Sequence, residues 1–217
     1  MFTETIDSDL TEFAAEQQRR FDAATSPGER KARGHFGTPP AIADFMAGLF
    51  SEFPRDTIRI LDPGAGVGTL SAALCQRLSK LESPRCVEIE LWENDPALVP
   101  HLRETMDRCR EALSETGHRL DYNICVDDFI LANAQKSLFE DGPVASFHLA
   151  ILNPPYYKLR KDSAQAKAMQ HVVHGQPNIY AFFMAAAADL LLPGGEMAAI
   201  TPRSYFNGSY FKKFSKW

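Results

Sequence analysis

Ile58-Arg59-Ile60-Leu61-Asp62-Pro63-Gly64-Ala65-Gly66-Val67-Gly68-Thr69 is the stretch in which the fold is legible. Ile58 to Leu61 is a short apolar run of the kind that makes a buried parallel strand. Gly64, Gly66 and Gly68 then break it with a glycine-rich turn. Leu70, Ala73, Leu74, Leu78 and Leu81 follow at helical spacing, with Arg77 among them. Strand, glycine turn and helix in that order open a parallel α/β sheet, with a ligand approaching bare backbone at the strand end. The alternation continues. Arg85 to Leu91 reads as a second strand, and Leu98, Leu102, Met106, Cys109 and Leu113 as a helix. Tyr122 to Val126 and Phe147 to Leu152 read as the third and fourth strands. Asn178-Ile179-Tyr180 opens a buried helix running through Leu192, and Pro193-Gly194-Gly195 turns into a fifth strand, Met197 to Ile200. The expected architecture is α/β and Rossmann-like, a mostly parallel sheet with helices on both faces.

The strand ends carry the chemistry. Thr69 stands where a dinucleotide fingerprint wants its third glycine, and Asp62 precedes the turn. A carboxylate there repels a pyrophosphate but not an ammonium and a sulfonium, so the turn favours S-adenosylmethionine over NAD. Asp62, Gly64, Ala65 and Gly66 are the candidate cofactor loop. An acid at the tip of the second strand is where a ribose diol is gripped. Glu93 is the candidate and Asn94 lies beside it; Glu88 and Glu90 are its competitors. After the third strand, Asp128 can accept from the cofactor's adenine amino group while Phe129 packs on the ring; Asp127 is the alternative acceptor.

The fourth strand runs into Asn153-Pro154-Pro155-Tyr156. These residues also suit a plain turn, but their place after a strand and below the upstream motifs favours a site. An aromatic amino group is a poor nucleophile because its lone pair is delocalised into the ring. Accepting hydrogen bonds from both of its N–H groups favours the tetrahedral geometry of the transition state. Asn153 Oδ1 can take one hydrogen and the Pro154 carbonyl the other, held by the fixed φ of Pro154 and Pro155. Tyr156 offers a face for a planar group. The expected step is direct in-line transfer, with no metal and no covalent intermediate.

Ahead of the first strand, Thr38 is a good N-cap, with Pro39 and Pro40 in the first helical turn. Phe45, Met46, Leu49, Phe50 and Phe53 follow at helical spacing. Free N–H groups and the Thr38 hydroxyl at this helix start can hold a carboxylate, although the same residues make an ordinary helix beginning. Residues 1–33 read as a polar extension with one amphipathic helix carrying Leu10, Phe13, Ala14 and Phe21, and a small basic cluster at Arg30, Lys31 and Arg33.

The totals bound the class. The chain has 217 residues, 45% hydrophobic and 24% charged, which suits one soluble α/β domain. No signal peptide is read in the first ten residues, and the longest apolar run, Ala181 to Leu192, contains Asp189 and is too short for a bilayer. A cytoplasmic protein with no membrane contact is expected. Cys75, Cys86, Cys109 and Cys125 lack metal-ligand spacing and sit in apolar segments, so core positions are expected. His171 and His174 lack further ligand partners, so no metal is expected. The net charge is −5, but residues 1–155 hold 15 Lys and Arg against 25 Asp and Glu, while residues 156–217 hold 8 against 3. Such asymmetry suits a cofactor half joined to a phosphate-facing half, though on charge alone a solvated basic surface is the simpler reading. Residues 157–175 read as a long mobile loop in which Lys158, Arg160 and Lys161 could meet phosphate.

In the order of these pieces, from about Gly34 to Trp217, the chain resembles the Asn-Pro-Pro-Tyr class of N6-adenine DNA methyltransferases. It is most similar to the methylase core of restriction-modification enzymes in which Thr-Pro-Pro precedes the cofactor loop. The resemblance implies a class I S-adenosylmethionine-dependent fold over residues 34–217, and methyl transfer to N6 of an adenine flipped out of duplex DNA. It implies that Thr38 and Pro39 contact the methionine end. Asp62, Gly64, Ala65, Gly66, Glu93, Asn94, Asp128 and Phe129 are implied to bind the cofactor, joined by Asn153. Asn153, Pro154, Pro155 and Tyr156 are implied to be catalytic. Thr201-Pro202-Arg203-Ser204 with Asn207-Gly208 resembles the family's segment after the fifth strand. The hairpin that completes the sheet, a second aromatic against the flipped base and a target-recognition domain are not found before Trp217, so an incomplete core is expected, with recognition or nuclease domains outside this chain. A protein-glutamine N5 methyltransferase uses the same motif for the same geometric problem and is the second reading; the Thr-Pro-Pro segment and the Asn178-Ile179-Tyr180 and Thr201-to-Gly208 segments look like the DNA enzymes. A non-catalytic cofactor-binding subunit that needs a partner chain is the third.

Overall fold

The computed structural model describes residues 9–26, 37–51, 53–54, 56–134, 145–170 and 178–202. The Arg30–Arg33 cluster, His171 and His174, Arg203-Ser204 with Asn207-Gly208 and the basic stretch at 210–214 lie outside the described residues. In chain order the elements are α1 (Leu10–Ala24), α2 (Pro40–Gly48), β1 (Thr57–Pro63), α3 (Thr69–Leu78), β2 (Cys86–Trp92), α4 (Val99–Glu115), β3 (Arg119–Cys125), α5 (Phe129–Ala134), β4 (Phe147–Leu152), α6 (Ala164–Ala168), α7 (Ile179–Asp189) and β5 (Leu191–Ala199).

The strands form one five-stranded sheet in the order β3-β2-β1-β4-β5, and every pair is parallel. Side chains of successive strand residues point to opposite faces, and the two cores divide accordingly. Ile58, Ile60, Leu149 and Ile151 join the core built with α1, α2, α3 and α4. Leu61, Ala150 and Leu152 join the one built with α5, α6 and α7. Helix α3 is buried nearly all round, from Thr69 to Cys75 and at Leu78. This is why its sequence lacks a polar stripe. The chain leaves β1 toward β2 and β3, then crosses back to β4 on the other side. The carboxyl ends of β1 and β4 therefore flank a topological switch point, the place where open α/β sheets bind ligands.

Four readings change. Phe45 and Leu49 are 66% and 57% exposed, together with Ile42, and α2 buries Ala43, Met46 and Ala47 instead. A nine-residue helix on a sheet face can bury only one stripe, and small residues let it approach closely. Strand β5 starts at Leu191, six residues earlier than expected, because the Pro193-Gly194-Gly195 segment is a bulge inside it: Phe147 pairs with Leu191 but Leu149 with Glu196. The expected loop after Tyr157 is structured in its described part. Ser163 Oγ accepts from Ala166 N to cap α6, and Leu159, Ala166 and Met169 are buried. Arg160, expected as a phosphate contact, makes a two-pronged pair with Asp162.

The glycine turn divides its work. Gly66 and Gly68 have φ of +58° and +86°, the left-handed region that costs a residue with a Cβ about 1–2 kcal/mol. A Cβ on Gly68 would also lie 2.8 Å from Leu102 Cδ1, whereas one on Gly66 would meet nothing within 4 Å. Gly68→Ala is expected to lower the stability of the fold by about 2–4 kcal/mol. Gly66→Ala should lower it by only the backbone strain but weaken a ligand that lies on the turn. Urea unfolding beside ligand titration separates the two, and equal losses from both variants would contradict this division.

Candidate functional site

The carboxyl ends of the strands open on a cleft, at the place where open α/β sheets hold small molecules. Thr38, Gly64, Ala65, Gly66, Glu93, Asn94, Asp128, Phe129, Asn153 and Pro155 line it, as does Asp127. These residues come from α2's approach, the β1 turn and the ends of β2, β3 and β4, so the sheet brings together segments up to 117 positions apart (Thr38 to Pro155).

Glu93 closes the tip of β2. It is 5% exposed; its Oε2 accepts from Gly66 N at 2.9 Å and its Oε1 from Asp95 N at 2.8 Å. Burial pushes its carboxyl above the ordinary glutamate range. The competitors are engaged elsewhere: Arg59 pairs with Glu88, and Trp92 Nε1 donates to Glu90. Phe129 lies in an aromatic corner, 5.6 Å from Trp92 in an edge-on arrangement and 5.4 Å from Phe183. Asp128 Oδ1 accepts from Leu131 N at the start of α5 and Oδ2 from Gln165 of α6. Asp127 Oδ1 accepts from Asp128 N and its side chain is exposed at the cavity.

Asn153 stands at the end of β4. Its Nδ2 donates to Thr38 Oγ1 at 3.1 Å, and its Oδ1 lies 2.8 Å from the Tyr156 hydroxyl. The same hydroxyl is 2.9 Å from the Ile200 carbonyl, so one proton serves two acceptors. Burial pushes Tyr156 up to about 12, which keeps that proton in place.

Several predicted residues sit differently from expectation. Asp62 does not line the cavity: it is fully buried, and Ser71 of α3 donates to its Oδ2 at 2.6 Å. Its carboxylate braces the turn against the helix, with Oδ1 lacking a partner. Thr38 does not cap α2; the cap is Pro39, without a side-chain bond, and the Thr38 hydroxyl is used by Asn153. Pro39 is exposed outside the cavity lining and Pro154 is buried outside it. Tyr156 is likewise outside the lining, with its ring 6.1 Å from Tyr180; the tyrosine at the rim is Tyr157, 43% exposed. Gln18, Val67, Thr69, Leu70, Leu98, Ile179, Trp92 and Phe183 also line the cleft and were not among the expected cofactor or catalytic residues. Trp92, next to Glu93, carried a positional signal; Gln18, in a segment with no motif, carried none.

Asp62 gives a pH prediction. Burial, the largest cause, raises its pKa to about 7, from roughly 3.9 in an unfolded chain. Between these values the folded state holds a proton that the unfolded state has lost. Stability therefore falls as pH rises from about 4 to about 7, by an amount on the order of 4 kcal/mol. Asp62→Asn removes this loss while keeping an acceptor for Ser71. Its melting temperature relative to the wild type should climb between pH 5 and pH 8; a flat difference would show that Asp62 does not titrate there.

A family model described as Eco57I restriction-modification methylase matches residues 91–217. The chain belongs to that family. It is 38% identical over 185 residues to the type II methyltransferase M.BsuBI of Bacillus subtilis, covering 83% of this chain and 36% of that one. It is 35% identical over 187 residues to the type II methyltransferase M.PstI of Providencia stuartii, covering 86% and 36%. The chain thus spans about a third of the length of these relatives. Among solved structures, a Listeria monocytogenes protein assigned to the class I S-adenosylmethionine-dependent methyltransferases superposes with a TM-score of 0.61 at 20% identity, over 95% of this chain and 58% of that one. The type IIG restriction endonuclease BpuSI superposes with 0.56 at 18% identity, over 81% and 21%. The fold of this family member is the Rossmann-like class I methyltransferase fold.

Proposed function

We propose that this chain is the methyl-transferring core of an adenine-N6 DNA methyltransferase of the Asn-Pro-Pro-Tyr class, serving a restriction-modification system. The observation that carries the reading is that Asn153 opens on the same cleft as the glycine turn, with its amide engaged on both sides. S-adenosylmethionine, when bound, supplies a methyl group made electrophilic by a neighbouring sulfonium. That charge already activates the carbon, so the transfer needs no metal.

The residues fit such a cofactor. The Trp92, Phe129 and Phe183 corner suits an adenine ring, and Asp128 or Asp127 can accept from its amino group. Glu93 keeps lone pairs for a ribose diol beyond those bonded to Gly66 and Asp95. Gly66 presents open backbone to the same space. Thr38 and the bare turn remain for the amino-acid end.

At the reacting end, Asn153, which lines the cleft, is the acceptor through Oδ1 for one N–H of the target amine. Asn153 Nδ2 donates to the Thr38 hydroxyl and Oδ1 accepts from the Tyr156 hydroxyl, so the amide is held at both ends. The Pro154 carbonyl is the second acceptor, on backbone stiffened by two prolines. A cofactor held by these residues would supply its methyl carbon to the target nitrogen and keep the sulfur as leaving group, and the nitrogen's proton would pass to solvent. Acceptors held in advance lower the barrier because they need no reorganisation.

The relatives' names, type II methyltransferase, support duplex DNA as the partner, and a base must leave the stack to reach a cleft at the strand ends. Their greater length supports recognition or nuclease domains beyond this core. A cytoplasmic location goes with a DNA substrate; among the described residues no helix is long and apolar enough to cross a membrane. The test is transfer of labelled methyl from S-adenosylmethionine to mixed-sequence duplex DNA, followed by digestion to nucleosides. This chain is assayed beside any longer reading frame that contains it. N6-methyladenine from either is the expected result. Label on a protein glutamine, with none in DNA, overturns it.

A further inference from the structure

We infer that α1 is a wall of the cofactor cleft and that Gln18 binds the amino-acid end of the cofactor, an inference that rests on the S-adenosylmethionine reading above. Helix α1 is tied to the domain on three sides. Leu10 N donates to Gln76 Oε1 of α3 at 2.7 Å. Gln17, fully buried, donates from Nε2 to Glu104 Oε2 at 2.7 Å and meets His101 Nδ1 through Oε1 at 3.0 Å, both on α4. Phe21, 3% exposed, clusters with Val67 of the glycine turn and with Leu98, so an apolar contact supports the turn from this helix. Successive helical residues are rotated by about 100°. With Gln17 on α4, Gln18 reaches the cleft, which it lines.

Gln18 is also closely placed. It lies so near Gly37 that a Cβ there would be 3.0 Å from its Cγ, Cδ and Oε1. Glycine before Thr38 is therefore what lets the side chain lie along this wall. Its Nε2 donates to Asp22 Oδ1 at 3.0 Å, which fixes the amide and leaves one N–H and the carbonyl oxygen for a ligand. The aromatic corner is assigned to adenine and Glu93 to ribose, so the polar wall beside Gly37 and Thr38 is left for the zwitterionic amino acid. A neutral amide can donate to its carboxylate or accept from its ammonium.

The experiment is calorimetric titration of the chain and of Gln18→Ala with S-adenosylhomocysteine and with 5′-methylthioadenosine, which lacks the amino acid. The expected result is about tenfold weaker binding of S-adenosylhomocysteine by the variant, the worth of one hydrogen bond, with 5′-methylthioadenosine binding unchanged. Gly37→Ala, which displaces the Gln18 side chain, should move the same way. Equal losses for both ligands would make α1 a structural wall only and overturn the inference, as would no loss for either. A wild-type chain that binds neither compound would overturn the cofactor reading and this inference with it.

Discussion

Asn153→Ala is expected to reduce methyl transfer by at least ~10³-fold while leaving cofactor affinity within about threefold. The split follows from what the side chain touches. Its side chain bonds to Thr38 and Tyr156 and lines the cleft, and its proposed partner is a group present only when substrate is bound. Losing one acceptor of a pair that strengthens in the transition state costs rate rather than ground-state binding. The Thr38 hydroxyl loses a partner, but it can bond to water in a half-buried position. Label transfer to DNA and titration with S-adenosylhomocysteine measure the two quantities. A large loss of affinity with a matching loss of rate would make Asn153 a structural tie between α2 and β4.

Glu93→Ala is expected to weaken the cofactor by about a hundredfold or more and to lower the melting temperature as well. Two effects add. The variant loses the carboxylate proposed for the ribose diol. It also strips Asp95 N of its acceptor in a buried setting and Gly66 N in a part-buried one, and a buried donor left unsatisfied costs about 1–3 kcal/mol. Gly66 belongs to the turn proposed to meet the cofactor, so the second loss feeds back on binding. Glu93→Gln keeps one acceptor oxygen and should fall between the two. A carboxylate that grips a diol must be ionised, and burial has raised this one. Affinity should therefore decline on acidification at a pH above that of an ordinary glutamate. Unchanged affinity in Glu93→Ala would move the ribose contact to another acid, and Glu90 would have to release Trp92 to provide it.

The sheet could be read from the chain because its signals are local. The apolar run at Ile58–Leu61, the glycines after it and the helical spacing from Leu70 onward are properties of neighbouring residues. The same holds for Phe147–Leu152, whose bounds as β4 are those expected. Glu93 could be chosen over Glu88 and Glu90 because it follows the last residue of the strand, and the carboxyl ends of parallel strands border the cleft. Bounds drifted where tertiary packing overrode a turn signal. The Pro193-Gly194-Gly195 segment became a bulge because Leu191 could still pair with Phe147.

What the chain order alone determined is therefore the strand–turn–helix framework and the cluster of strand-end motifs that meets at one cleft. Only the tertiary structure decided which atom of each motif faces that cleft. Asp62 was turned to Ser71, nine residues on in α3. The Tyr156 hydroxyl was committed to Asn153 and Ile200 while Tyr157 took the rim. Gln18 arrived from a helix that no motif marks. The physical reason is the same in each case. Periodicity and turn chemistry act over a few residues, whereas a side chain's direction is set by its best available partner, which the fold supplies from anywhere in the sequence.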